Sequence, residues 1–453
     1  MKKIVCFLLV ITVVFGCSFF LVSCDNQPID QCFIDVEYEN GVAFGWVEYC
    51  IKTKKSLKEV AFNLYANAFN DDSGGIVIKN VVANTGQCFW QELGESKQFL
   101  TVKFKNKVKK GKSVKIRIEF STALIGGESF CSKTQSAVNL AYFYPNLCAY
   151  DKQYLLLPYV DFGNSFNGDF FDITVRLTLP SIMSVACGGV AEGVALNQEK
   201  TTYLYSLPRA KSFACSLYEN YQIISKKWGN KRINYYYYDE INPQKTVETI
   251  IKAFEFACNF FNYPYEIFTL AKTPCDRSGR GYSAYCVVNE NQNESDYMRS
   301  VICQVFNQYL PQSFNFNEYF IFFGDGLVEY LTYSFLEKEN LAFKEARANY
   351  YKKLISDYEN ENYVANDRLR AVKKLSDFKN EQEYFIIACA KSYLAFYQIE
   401  KSGVDIFKAL KKLYNDKAFL KVDEKTFVKA FGKDQNKVKK IFNEFVNSDS
   451  FNA

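Results

Sequence analysis

The run Val301-Ile302-Cys303-Gln304-Val305-Phe306-Asn307-Gln308-Tyr309 places apolar side chains at Val301, Ile302, Val305 and Phe306. Steps of one and four residues put all four on one face of an α-helix. The pattern extends from about Ser295 to Leu310. Downstream, a third helix begins near Asp325, whose carboxylate is placed to cap it. From Glu339 to Val446 the chain reads as helical with mixed charge and contains no proline. Upstream, Asn242-Pro243 starts a helix with apolar residues at Val247, Ile250, Ile251, Phe254, Ala257, Cys258 and Phe261.

Before residue 220 the period is two. Val102, Phe104 and Val108 alternate with Lys103, Lys105 and Lys107; a turn follows at Lys109-Lys110-Gly111-Lys112. Val114, Ile116, Ile118 and Phe120 then alternate with Lys115, Arg117 and Glu119, which predicts a hairpin with one apolar and one charged face. Ile173 to Leu179 is a further strand, ended by Pro180. The expected fold is α+β and multidomain. A leader (1–23) and a tether (24–30) precede an N-terminal antiparallel β-sandwich-like domain over 31–220 and a mainly helical domain over 221–453.

Composition narrows the chemistry. The chain has 453 residues and no histidine. That removes the commonest metal ligand and the commonest general base near neutral pH, and with them every Ser-His-Asp triad, Cys-His dyad and His-bearing zinc site. A net charge of +5 is small for this length, so nucleic acid is not an expected partner. Of the 15 cysteines, Cys6, Cys17 and Cys24 lie in or just after the leader. The others are scattered singly without a CxxC pair, as buried small apolar residues would be. Gly126-Gly127 lacks the Gly-Lys-Ser/Thr of a P-loop and reads as a turn.

Residues 1–23 read as a signal sequence: Lys2 and Lys3, then an almost wholly apolar stretch from Ile4 to Val22. Leu21-Val22-Ser23-Cys24 resembles the lipobox of bacterial lipoproteins. Cys24 is thus the expected lipidation site, and the expected location is the extracytoplasmic face of a cell membrane.

Three stretches resemble the membrane-alanyl-aminopeptidase (gluzincin) family of zinc peptidases. Phe62-Asn63-Leu64-Tyr65-Ala66-Asn67-Ala68-Phe69 is similar to its "LYPNAF"-type strand. Tyr144-Pro145-Asn146-Leu147-Cys148-Ala149-Tyr150-Asp151, with Tyr159, Phe162-Gly163-Asn164 and Phe166, is similar to the segment closing its first domain. Phe261-Asn262-Tyr263-Pro264-Tyr265 resembles the "FGxYPY" that opens its catalytic domain. The resemblance spans roughly residues 30 to 440 and implies a thermolysin-like peptidase domain in the second half.

In that family His-Glu-x-x-His on a helix, and a Glu about nineteen residues later, hold zinc, while the first Glu takes a proton from bound water. Laid on this chain, Cys303 and Asn307 stand at the two histidines and Gln304 at the catalytic Glu. Asp325, in Gly324-Asp325-Gly326-Leu327-Val328-Glu329-Tyr330, stands at the later Glu with the spacing one residue short. Gly281 falls on the Glu of the "GxMEN" motif that grips the substrate amine, and Cys389 on the transition-state Tyr. A Gln amide cannot accept the proton, and that loss alone costs about 10²–10⁴ in rate.

The resemblance therefore implies no catalytic residues, no metal and no cofactor: a binding protein for a peptide or a surface protein. Two other readings stay open. One is an enzyme with a rebuilt, metal- or thiol-dependent site around Cys303, Cys389 and Cys286. The other is a structural surface-assembly lipoprotein. Asp276, Arg277 and Arg280 read as a solvated loop.

Overall fold

In a computed structural model of the chain, residues 30–69, 74–197, 199–362 and 370–448 are described. The leader, Cys24 and the tether up to residue 29 lie outside them. No helix among the described residues is long and apolar enough to cross a membrane.

Seven strands open the described chain: β1 (Gln31–Glu39), β2 (Val42–Lys52), β3 (Leu57–Asn63), β4 (Gly75–Ala83), β5 (Cys88–Leu93), β6 (Phe99–Val108) and β7 (Ser113–Ala123). A seven-stranded sheet has the order Val190–Leu196, Lys200–Ala210, Phe171–Pro180, β1, β2, β7, β4. A four-stranded sheet has the order Asn146–Leu147, β3, β6, β5, and a five-stranded sheet is built from residues 125–218. The fold is the expected β-rich domain followed by a helical one. In this half two pairs depart from the antiparallel pattern: Ile125–Gly126 runs parallel to Cys131–Lys133, and β1 runs parallel to Phe171–Pro180. Pro180 ends that strand because it has no N–H to offer the ladder.

The hairpin expected between residues 102 and 120 does not form. β6 pairs with β3 and β5, whereas β7 pairs with β2 and β4 in a different sheet. The turn is an arch between layers, and Val102 and Phe104 share one core with Val114, Ile116 and Ile118. Alternation marks which side chains face inward and says nothing about the partner strand. Thr53 fixes the arch: its hydroxyl donates to the carbonyls of Lys109 (2.8 Å) and Lys112 (2.9 Å), and its carbonyl accepts from Gly111 N. Gly111 sits at φ +80, where glycine carries no steric penalty.

The second half contains a sheet that the helical period hides. Gln222–Trp228, Lys231–Tyr237, Ile267–Thr273, Tyr285–Asn289 and Gly279–Tyr282 form it in that order. Ile267–Thr273 and Tyr285–Asn289 are buried on both faces, so they read as short continuous apolar runs without alternation. Helix α1 (Pro243–Ala257) carries Pro at its start and Asn242 as its cap, accepting from Lys245 N. α2 (Glu294–Tyr309) is capped by Asn293. α3 (Ile321–Lys338) begins four residues before Asp325, so Asp325 is not its cap. α4 (Lys344–Asn362) follows, and later a π-helical stretch, Tyr384–Ala390, runs into the helix Lys391–Lys401. The described cysteines are all free thiols, most of them buried.

Candidate functional site

α2 lies across the strands Gly279–Tyr282 and Tyr285–Asn289. Val301, Ile302, Val305 and Phe306 are all essentially inaccessible, as their spacing requires. Polar side chains of the same helix and of the turn that follows it form a clasp. Gln308 accepts from Ala284 N (2.9 Å) and donates to Tyr282 O (2.9 Å) and to Cys286 Sγ (3.0 Å). Gln312 donates to Gly281 O (2.9 Å). Gln304, one turn earlier, is buried and accepts from Asn307 Nδ2 (3.0 Å). Gln304 and Gln308 are one helical turn apart, and Gln312 follows in the turn after Tyr309; that run of glutamines is the signal that could have found the clasp.

Gly279 and Gly281 lie directly beneath this helix. A Cβ at 279 would stand 2.8 Å from Gln304 Nε2; one at 281 would stand 3.1 Å from Asn307 Cβ and 3.2 Å from Gln304 Oε1. Strand and helix therefore meet with no space for the long acidic side chain that the resemblance places at 281.

Of the six expected positions, Gly281, Gln304 and Asn307 are in mutual contact. Asp325 lies in the second turn of α3 and accepts from the Tyr384 hydroxyl (2.6 Å). Burial raises its pKa, opposed by that hydrogen bond and by Arg277. Cys389 shares the π-helical stretch with Tyr384; its carbonyl lies 3.2 Å from where a Cβ on Gly326 would sit, so the glycine lets α3 approach closely. Tyr384 went unnoticed in the sequence, because nothing local links it to Asp325 at a separation of 59 residues. Cys303 faces α3, its Sγ 3.3 Å from Thr332 Oγ1. Burial pushes its thiol up to about 11, with Glu329 nearby adding to the rise.

Cys286 packs against the Gln304 carbonyl and Gln308, away from Cys303 at Thr332 and Cys389 at the π-helix. Burial raises all three thiols, the opposite of what a nucleophile or metal ligand needs. Among the described residues these cysteines are not grouped to hold a metal ion.

The charges taken for a solvated loop are also placed otherwise. Arg280 is 7% exposed and makes a two-pronged pair with Asp276, Nε to Oδ1 at 3.0 Å and Nη2 to Oδ2 at 2.7 Å. Its guanidinium lies over Phe130 and Phe166, and two parallel hydrogen bonds to Asp276 meet its buried charge. Arg277 donates to Gly163 O (3.0 Å), whose own residue packs on the Tyr384 ring.

Zinc does not fit this donor set. Asn307 and Gln304 are neutral amides bonded to each other, Cys303 is a protonated thiol turned to Thr332, and Asp325 is held by Tyr384. Among the described residues no three His, Cys, Asp or Glu side chains are grouped to hold a metal ion.

No protein-family model and no curated protein matches the sequence. Solved structures do match the fold. The M1 zinc metallopeptidase from Deinococcus radiodurans superposes with TM-score 0.68 at 12% identity, over 94% of this chain and 94% of that one. A variant of it bound to a Tyr-Ser-Ala substrate gives 0.69 at 12% identity, over 94% and 95%. A two-domain M1 zinc metallopeptidase variant bound to L-arginine gives 0.67 at 11% identity, over 94% and 96%. The chain thus has the two-domain fold of the M1 peptidases along nearly its whole described length.

Proposed function

We propose that this chain is a binding protein on an M1-peptidase scaffold that does not hydrolyse peptides, held by lipid at Cys24 on the extracytoplasmic face of the membrane. The observation that carries the reading is the Gln304–Asn307 hydrogen bond, closed from below by Gly279 and Gly281. The chemistry of the scaffold needs a carboxylate and two imidazoles there. An amide neither accepts a proton at neutral pH nor lowers the pKa of water. The ligand is a peptide or a segment of a surface protein. It needs no free amino terminus, because position 281 carries no acid and the neighbouring Arg280 is already paired with Asp276.

The test is made on the purified protein. Plasma mass spectrometry is expected to find zinc well below one per chain, and a panel of aminoacyl and peptide substrates to show no metal-dependent cleavage. One zinc per chain together with chelator-sensitive hydrolysis sinks the proposal. Pull-down from solubilised membranes then identifies the ligand, and an N-acetylated peptide is expected to bind as well as its free-amine form.

A further inference from the structure

The outer face of the seven-stranded sheet carries a shallow, open groove of about 320 Å³, far in the sequence from α2. Strand register sets its walls. On one rung Trp46 of β2 faces Asp35 of β1, which faces Arg176. On the next, Phe44 faces Glu37, which faces Thr178 and then Thr202. Each rung thus runs from an aromatic ring through a carboxylate to a hydrogen-bond donor. Neighbouring groups are about 4.8 Å apart across strands, and the two rungs are roughly 7 Å apart along them.

Between the rungs the floor is backbone. Gly45 pairs with Val36 there, and a Cβ at 45 would stand 2.0 Å from Asp35 O, so only glycine lets β1 and β2 approach this closely. The charges are already balanced in place: Asp35 pairs with Arg176, Glu37 and Glu39 with Lys200, and Glu48 with Lys115 and Arg117. The Arg117 guanidinium lies 4.0 Å from the Trp46 ring centre and steadies the indole.

A face of balanced charge offers no net attraction to a polyanion or a polycation. Flat rings beside fixed carboxylates and hydroxyls suit a ligand with apolar C–H faces and a rim of hydroxyls. We propose that this groove binds a neutral glycan chain, with sugar rings laid on Trp46 and Phe44 and their hydroxyls donated to Asp35 and Glu37.

The full-length protein is titrated with an N-acetylglucosamine tetramer and with cellotetraose, following tryptophan fluorescence and heat. Saturable micromolar-to-millimolar binding of at least one is expected. Trp46→Ala and Phe44→Ala are each expected to weaken it about tenfold, while Trp90→Phe leaves it unchanged. Phe44 is exposed, so Phe44→Ala serves if Trp46→Ala does not fold. The proposal is overturned if neither oligosaccharide binds, if Phe44→Ala binds as well as the parent, or if heparin binds more tightly than both neutral sugars.

Discussion

Gln304 shows how a single side chain changes what a helix can do. It keeps the length of the Glu that the resemblance implies, yet it is acceptor and donor at once and satisfies Asn307. Gly281 makes the exchange spatially consistent, since its missing Cβ is where the amides sit. Gly281→Glu is therefore expected to lower stability by about 1–3 kcal/mol in urea unfolding, by overpacking; an unchanged midpoint would show that the strand can move away. Asp325 gives a pH signature. Its carboxyl titrates above the ordinary value, because burial disfavours the charged form more than Tyr384 and Arg277 favour it. Below pH about 3.9 the acid is neutral in both states. As pH rises, the unfolded chain loses its proton first and native stability falls. Asp325→Asn is expected to flatten thermal stability across that acidic range. The identities of Gln304, Asn307 and Gly281, and what they cannot do, were legible in the sequence. Tyr384 beside Asp325 was not, since a contact across 59 residues has no local signal.

At the scale of elements, the arch from β6 to β7 is the informative case. Both strands alternate, β6 with a break at the exposed Asn106, and both are present as expected. Their pairing is decided by which sheets can cover them, and each strand finds its partners elsewhere. Thr53 supplies the two side-chain hydrogen bonds that hold the turn. Thr53→Val keeps the shape and removes both, leaving the carbonyls of Lys112 and Lys109 only their backbone donors, Thr53 N and Lys112 N. A loss of about 0.5–1.5 kcal/mol is expected in denaturant unfolding, and no loss would mean that those donors and solvent replace the hydroxyl freely. α3 teaches the same lesson. Asp325-Gly326 resembles a helix start, but the first turn lies upstream among aromatic residues, where packing rather than capping starts the helix.

Across the whole molecule, Lys211 joins the two halves. Its ammonium donates to the carbonyls of Pro311 (2.8 Å) and Phe314 (2.7 Å), just beyond the end of α2. Burial pulls it down to about 7, against a partial rise from Asp169. Between pH about 7 and the ordinary lysine value near 10.4, the unfolded chain binds the proton that the native one has released. Stability should therefore rise with pH over that window. Lys211→Met is expected to remove the rise in thermal unfolding; a variant with the same slope would place the lysine in solvent.

The sequence by itself determined the order of β-rich and helical halves, the buried face of α2, the capped start of α1 and the absence of every histidine-based site, because periodicity, caps and composition are local or additive properties. Only the tertiary structure decided that β6 and β7 lie in different sheets, that Arg280 is buried on Asp276, that Gln308 and Gln312 fasten a strand, and that aromatic and acidic side chains of β1 and β2 line one groove. Each of these depends on which distant backbone comes alongside, and that choice is made by the burial of shared apolar faces rather than by neighbours in the chain.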